Sequence, residues 1–263
     1  YSSYASCEIS IDKNSAFTMN GGKLMAMPND GGGVSIQNSG TFTMDSGTIS
    51  YSRWNGGVMG VIFNTADGTF TMNGGEISNN TAIGSPVIRN DGMFTMTGGK
   101  ITRNEAKASS EFTAAAELVY CSTVRNSGTF VMSGGEISNN TTDGFGGGLY
   151  IETTGVAELK GDAKITGNAG KLAGGGVFIN ANGWSSGRLT ISGNAEISGN
   201  TPDDVYPPAK GDDDGELESA GFDETGKAEL KNSSIITSVT VTPNAADTLI
   251  YNRNNGIEKP PVS

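Results

Sequence analysis

The sequence predicts an all-β protein: a right-handed, single-stranded parallel β-helix of about eight coils, with loop insertions and a short β cap at its C-terminal end. Three observations carry the prediction. One phrase recurs along the chain, its copies share three apolar columns, and the composition combines 40 glycines and frequent asparagine with only 17% charged residues. That balance differs from disorder, which joins low hydrophobicity to high net charge and proline. It suits many short strands joined by tight turns.

The phrase is Gly-Thr-Phe-Thr-Met-x-Gly-Gly-x-Ile-Ser, with its best copies starting at Gly40, Gly68, Gly92 and Gly128. A weaker copy surrounds Phe17. Later copies read Val156-Ala157-Glu158-Leu159, Arg188-Leu189-Thr190-Ile191 and, last, Lys227-Ala228-Glu229-Leu230. Phe-Thr-Met alternates with the period of two that marks a strand with one face inside. The first apolar column runs Phe17, Phe42, Phe70, Phe94, Phe130, Ala157, Leu189 and Ala228. Two residues on stand Met19, Met44, Met72, Met96, Met132, Leu159, Ile191 and Leu230. The third column is Leu24, Ile49, Ile77, Ile101, Ile137, Ile165, Ile197 and Ile236. The last three copies hold one extra residue between the second and third columns.

Successive third-column residues lie 25, 28, 24, 36, 28, 32 and 39 residues apart. Steps of 24 or 25 are too short for a propeller blade of about 40–45 residues and suit one solenoid turn of two or three short strands. The longer steps are that turn plus a loop. The Leu-x-x-Leu-x-Leu frame of leucine-rich repeats is missing. A further strand precedes each copy, through Val34/Ile36, Ile62, Ile88, Val124, Leu149/Ile151 and Val177/Ile179. It commonly follows a glycine-rich corner such as Gly174-Gly175-Gly176.

Two asparagine columns mark the corners. Asn38, Asn64, Asn90 and Asn126 follow the preceding strand, and Asn80, Asn104, Asn140, Asn168 and Asn200 follow the third column. Two readings fit them: hydrogen-bonded amide ladders along the stack, or single turn-formers tolerant of left-handed backbone. Eight turns at about 4.8 Å each give a rod of order 40 Å. Its open ends need covers, and the organisation reads as an N-terminal cap at 1–13, repeats at 14–237 and a C-terminal strand, cap and linker at 238–263. Within the last segment, Ser238-Val-Thr-Val-Thr242 alternates like an exposed strand. The insertion Lys107–Glu117 is rich in helix formers and predicts a short helix beside the fourth turn.

Composition also removes functions. A net charge of −11 opposes nucleic acid, whose phosphates need a basic surface. With no histidine, Ser–His and Cys–His catalysis and most zinc sites are excluded. Two cysteines make no disulfide scaffold; Cys7 and Cys121 should lie about three turns apart, and Cys121 reads as a small core residue. No run of about 18 apolar residues predicts membrane insertion, and no signal peptide occurs. The abrupt start at Tyr1 and the linker-like Glu258-Lys259-Pro260-Pro261 read as a fragment of a longer protein.

The corners Gly146-Gly-Gly-Leu-Tyr-Ile151 and Gly174-Gly-Gly-Val-Phe-Ile179, with Ile-Ser/Thr-x-Asn nearby, resemble repeats of bacterial surface proteins. These include polymorphic outer-membrane protein passengers and adhesin-like proteins of gut bacteria, within the pectate-lyase-like β-helix superfamily. The likeness spans roughly residues 14–237. It implies a secreted or cell-surface protein presenting a long surface to glycan or host protein.

The same resemblance implies an alternative, a polysaccharide lyase or glycoside hydrolase or an inactive relative of one. Such enzymes use Ca²⁺ with carboxylates and a basic residue, or clustered Asp. Asp203, Asp204, Asp212, Asp213, Asp214 and Glu216, beside Glu218, are the candidate Ca²⁺ ligands, hard oxygen donors without the spacing of an EF-hand; a solvated acidic loop is the plainer reading. Outward positions beside the Phe and Met columns are Thr18, Thr43, Thr71, Thr95, Val131, Glu158 and Thr190, which show no catalytic constellation. Thr41-x-Thr43 and Thr69-x-Thr71 resemble the arrays of ice-binding solenoids, a remote third reading. Candidate glycan-binding residues are Tyr51, Arg53 and Trp54 in one loop, Trp184 in another and Tyr206, with Phe145 and Tyr150 as further options; each ring can equally cover the rod or pack under a loop. The reading favoured is a non-catalytic extracellular domain for adhesion or display with a glycan or host-protein partner and no cofactor beyond Ca²⁺. No oligomeric state is specified.

Overall fold

A computed structural model describes residues 7–25, 33–55, 59–109, 121–180 and 187–206, together with the backbone of four later strands, Ser219–Phe222, Ala228–Lys231, Thr248–Asn252 and Gly256–Glu258. Every described element is a strand and none is a helix. One turn contains four short strands, as in Ile88–Asn90, Met93–Met96, Lys100–Thr102 and Glu105–Lys107. Each pairs in parallel with its counterparts one turn before and one turn after. The fold is a parallel β-solenoid.

The aligned columns are the stacking registers. Phe17, Phe42, Phe70, Phe94, Phe130, Ala157 and Leu189 occupy one register line, and the third column runs unbroken from Leu24 to Ile197. Seven Phe-x-Met levels are separated by six steps, so the rod has about six turns and a length of roughly 29 Å. The estimate of eight coils was approximate because it included Ala228-Glu229-Leu230. That strand, Ala228–Lys231, instead pairs antiparallel with Ser219–Phe222. Ile236 lies outside the described residues, as do Ser238–Thr242 and residues 110–120 of the insertion expected to form a helix. The insertion's first residue, Lys107, ends a strand.

Burial follows the columns. Phe42, Phe70, Phe94 and Phe130 are fully buried and stack with centroids 4.7, 4.4 and 4.9 Å apart. Burial of each such ring contributes about 2–3 kcal/mol of transfer free energy. The methionines pack onto the bend of the following turn. A Cβ on Gly99, at φ +82°, would lie 2.7 Å from Met72 Cε, and one on Gly135 the same distance from Met96 Cε. Each of these methionines is therefore coupled to the glycine bend one turn on. Where Leu159 and Ile191 replace Met, the bend is one residue longer. Buried Ala163 and Ala195 then stand just before the third strand, where the earlier turns have glycine.

Both asparagine columns are amide ladders. In the first, Asn38 Nδ2 donates to Asn64 Oδ1 (2.7 Å), Asn64 to Asn90 (2.7 Å) and Asn90 to Asn126 (2.6 Å). In the second, the same bond links Asn80, Asn104, Asn140, Asn168 and Asn200 at 2.9–3.0 Å. Each second-ladder Nδ2 also donates to the carbonyl of the third-column residue one turn back, as Asn104 does to Ile77 (2.8 Å). The left-handed backbone falls one residue earlier, at Tyr51, Asn79, Arg103, Asn139, Gly167 and Gly199. Ladder and turn-former are thus neighbouring positions in each turn.

The outward third-strand column reads Lys23, Thr48, Glu76, Lys100, Glu136, Lys164 and Glu196. Alternating charge favours this register over a slipped one. Lys100–Glu136 and Lys164–Glu196 form ion pairs at 3.3 and 3.8 Å. At the C-terminal end, Thr248–Asn252 pairs antiparallel with Arg188–Ser192, covering the edge of the last Phe-x-Met level.

Candidate functional site

The first strand of each turn is apolar, outward, then Asn or Ile: Ile62-Phe63-Asn64, Ile88-Arg89-Asn90, Val124-Arg125-Asn126, Leu149-Tyr150-Ile151 and Val177-Phe178-Ile179, with Val205-Tyr206 beginning the next. Parallel register puts Phe63, Arg89, Arg125, Tyr150, Phe178 and Tyr206 in a single outward column. The members contact one another in two runs, Phe63 with Arg89 and then Arg125 through Tyr206. The Arg89 guanidinium lies 4.8 Å from the Phe63 centroid, and that of Arg125 lies 6.0 Å from Tyr150. Tyr150 and Phe178 stack at 5.1 Å and 19°, and Phe178 and Tyr206 at 5.5 Å and 13°. Phe145 tilts against Phe178 at 4.6 Å. Tyr150 is buried within the stack, whereas Phe63, Arg89, Phe178 and Tyr206 are half-buried.

A polar row runs beside this column, because the corner residue after each first strand also stacks: Thr65, Asp91, Ser127, Glu152 and Asn180. Asp91 receives Arg89 Nε at 2.9 Å and Ser127 Oγ at 2.6 Å. Glu152 receives Arg125 Nε at 2.6 Å and Asn180 Nδ2 at 3.1 Å. Both cations of the face are therefore paired with neighbouring carboxylates. The face combines a column of rings and paired arginines with a hydrogen-bonding row, one residue of each per turn, on a backbone held by the ladders.

Alternation in these strands was the available signal for Phe63, Arg89, Arg125 and Phe178. Only Tyr206, and Tyr150 and Phe145 as options, had been singled out from their ring chemistry. Tyr206 ends the stack, and its hydroxyl pKa is raised by burial and then by the Asp203 charge. The other candidates lie elsewhere. Tyr51 is 58% exposed at the corner after the third strand, and Arg53, expected in a loop, is exposed on the short fourth strand Arg53–Trp54. Trp54 is in register with Ala82, on the inward line of the fourth strands, and packs against the core. Trp184 lies outside the described residues.

Asp203 and Asp204 are buried at the end of the last full turn. Asp204 Oδ1 accepts from both the backbone N and Nδ2 of Asn200 (2.8 Å each), taking the acceptor place at the end of the second ladder. Asp203 accepts from Gly174 N (2.8 Å). Its carboxyl pKa is raised, chiefly by desolvation, with the Asp204 charge adding to it. Asp212, Asp213, Asp214 and Glu216 lie outside the described residues, and among the described ones no group of three or more acidic or Cys side chains is placed to hold a metal ion. The Thr18–Thr190 column is in register and carries one carboxylate, Glu158, paired with Lys160 at 3.1 Å.

No protein-family model, no curated protein and no solved structure matches this chain. The likeness to bacterial surface repeats rests on corners such as Gly146–Ile151 and Gly174–Ile179, and what is shown of it is the parallel β-solenoid.

Proposed function

We propose that this chain is an extracellular, non-catalytic β-solenoid domain of a bacterial surface or secreted protein, acting in adhesion or display and binding glycan on its first-sheet face. The observation that carries the reading is the Phe63-to-Tyr206 column with its polar row. Half-buried rings beside fixed hydrogen-bonding groups suit a ligand with apolar and hydroxylated surfaces. The ladder-held backbone supports it, since binding to a rigid face costs little ordering entropy. The charge of −11 favours an uncharged or cationic partner over an anionic surface.

A panel of plant polysaccharides, fungal polysaccharides and mucin glycans tests the reading. Retention without new reducing ends or unsaturated uronides is the expected result. Release of either product would replace the adhesion reading with a lyase or hydrolase. The candidate Ca²⁺ role of the acidic insertion has its own measurement: a melting temperature raised by millimolar Ca²⁺ and lowered by chelator supports it, and an unmoved one removes it.

A further inference from the structure

Resting on the glycan reading above, we infer that the first-sheet face takes an uncharged, linear glycan lying along the rod axis, with its principal contacts at Phe178 and Tyr206. Direction follows from topology. Each turn contributes one column residue, and across the rod the rings give way to the corners Gly146–Gly148 and Gly174–Gly176, which have no side chains. A ligand crossing the face leaves the rings at once, whereas one running along it passes from Phe178 to Tyr206 one strand spacing of about 4.8 Å further on, with the polar row beside it.

Charge selects the neutral class. Arg89 is paired with Asp91 and Arg125 with Glu152, so an anionic polymer finds carboxylates beside each guanidinium in a chain of net charge −11. Ring orientation selects oxygen-rich chemistry. Phe178 is stacked by Tyr150 on one side and by Tyr206 on the other, so what this half-buried ring offers a ligand is its edge. Aromatic edges carry the positive part of the ring quadrupole and favour oxygen lone pairs. Ser127 and Asn180 add a hydroxyl and an amide beside them. An uncharged polyol chain satisfies all three conditions.

Affinity electrophoresis and calorimetry with the whole chain test this, using xylan, mannan and β-glucan against polygalacturonate and a sulfated glycan. Neutral probes should bind, with little dependence on salt and with Kd falling as xylo- or gluco-oligosaccharides lengthen over the first few units. Tyr206→Ala and Phe178→Ala should each weaken binding about tenfold with the circular dichroism spectrum unchanged. Phe178→Leu keeps apolar volume if the alanine variant unfolds, and should weaken binding in the same direction. Preference for the anionic probes, decaying with salt, would overturn the inference. So would neutral binding indifferent to all three variants, although glycan binding itself would then stand at another site. Binding to no glycan at all would remove both the inference and the reading beneath it.

Discussion

At the scale of single residues, the ladder asparagines are the positions with least freedom. Asn104 Oδ1 accepts from both nitrogens of Asn80, and its Nδ2 donates to Ile77 O and Asn140 Oδ1. Asn104→Ala strands several buried polar groups and should cost about 3–5 kcal/mol in denaturant unfolding. Asn73, which joins Asp45 and Thr97 in an exposed row, should change stability by only about 0.5 kcal/mol as Asn73→Ala. Equal effects would mean that the ladders contribute nothing beyond turn formation. Asp203 supplies a pH test. Its proton is bound more tightly in the folded chain than in the unfolded one. Its contribution is therefore complete below the unfolded carboxyl pKa and is lost as pH rises through the raised folded value. Asp203→Asn keeps an acceptor for Gly174 N, and should raise the melting temperature at pH 7 by an amount that shrinks towards pH 4. A variant less stable at pH 7 would contradict this. The Cys121 thiol, pushed up to about 12 by burial and then by Asp143, should resist alkylation at pH 8 until the chain unfolds.

At the scale of the element, most of the turn was legible because its constraints are local and repeated. Period-two alternation identified the Phe-x-Met strands, and Gly-Gly identified the bend. What single copies hid was coupling between turns. Met72 belongs with Gly99 of the next turn, a relation that no single copy of the phrase displays. Gly99→Ala should therefore cost about 2–4 kcal/mol, from left-handed backbone and from overpacking against Met72. A neutral result would show that the bend has slack. The fourth strands were harder to read, since their inward line carries Ala82, Ala106 and Thr142 rather than large apolar side chains. Trp54 begins that line, so a ring that suggested a loop-borne site packs on the core instead.

For the whole molecule, stacking turned a set of unremarked residues into a surface. Arg89, Arg125 and Phe178 lie far apart in the chain and share no motif; register alone makes them neighbours. Rings in loops are conspicuous in a sequence, whereas one outward residue per turn is visible only after the turns are superposed. The same superposition shows the outward Thr column running along the rod, interrupted by Val131 and Glu158, without bringing paired carboxylates together there. Hydroxyl-radical footprinting with a saturating neutral glycan measures the placement of function most directly, because it reads side chains one by one. Phe178 and Tyr206 should become protected while exposed Tyr51 stays unchanged. Protection of Tyr51 with Phe178 and Tyr206 still reactive would contradict the account.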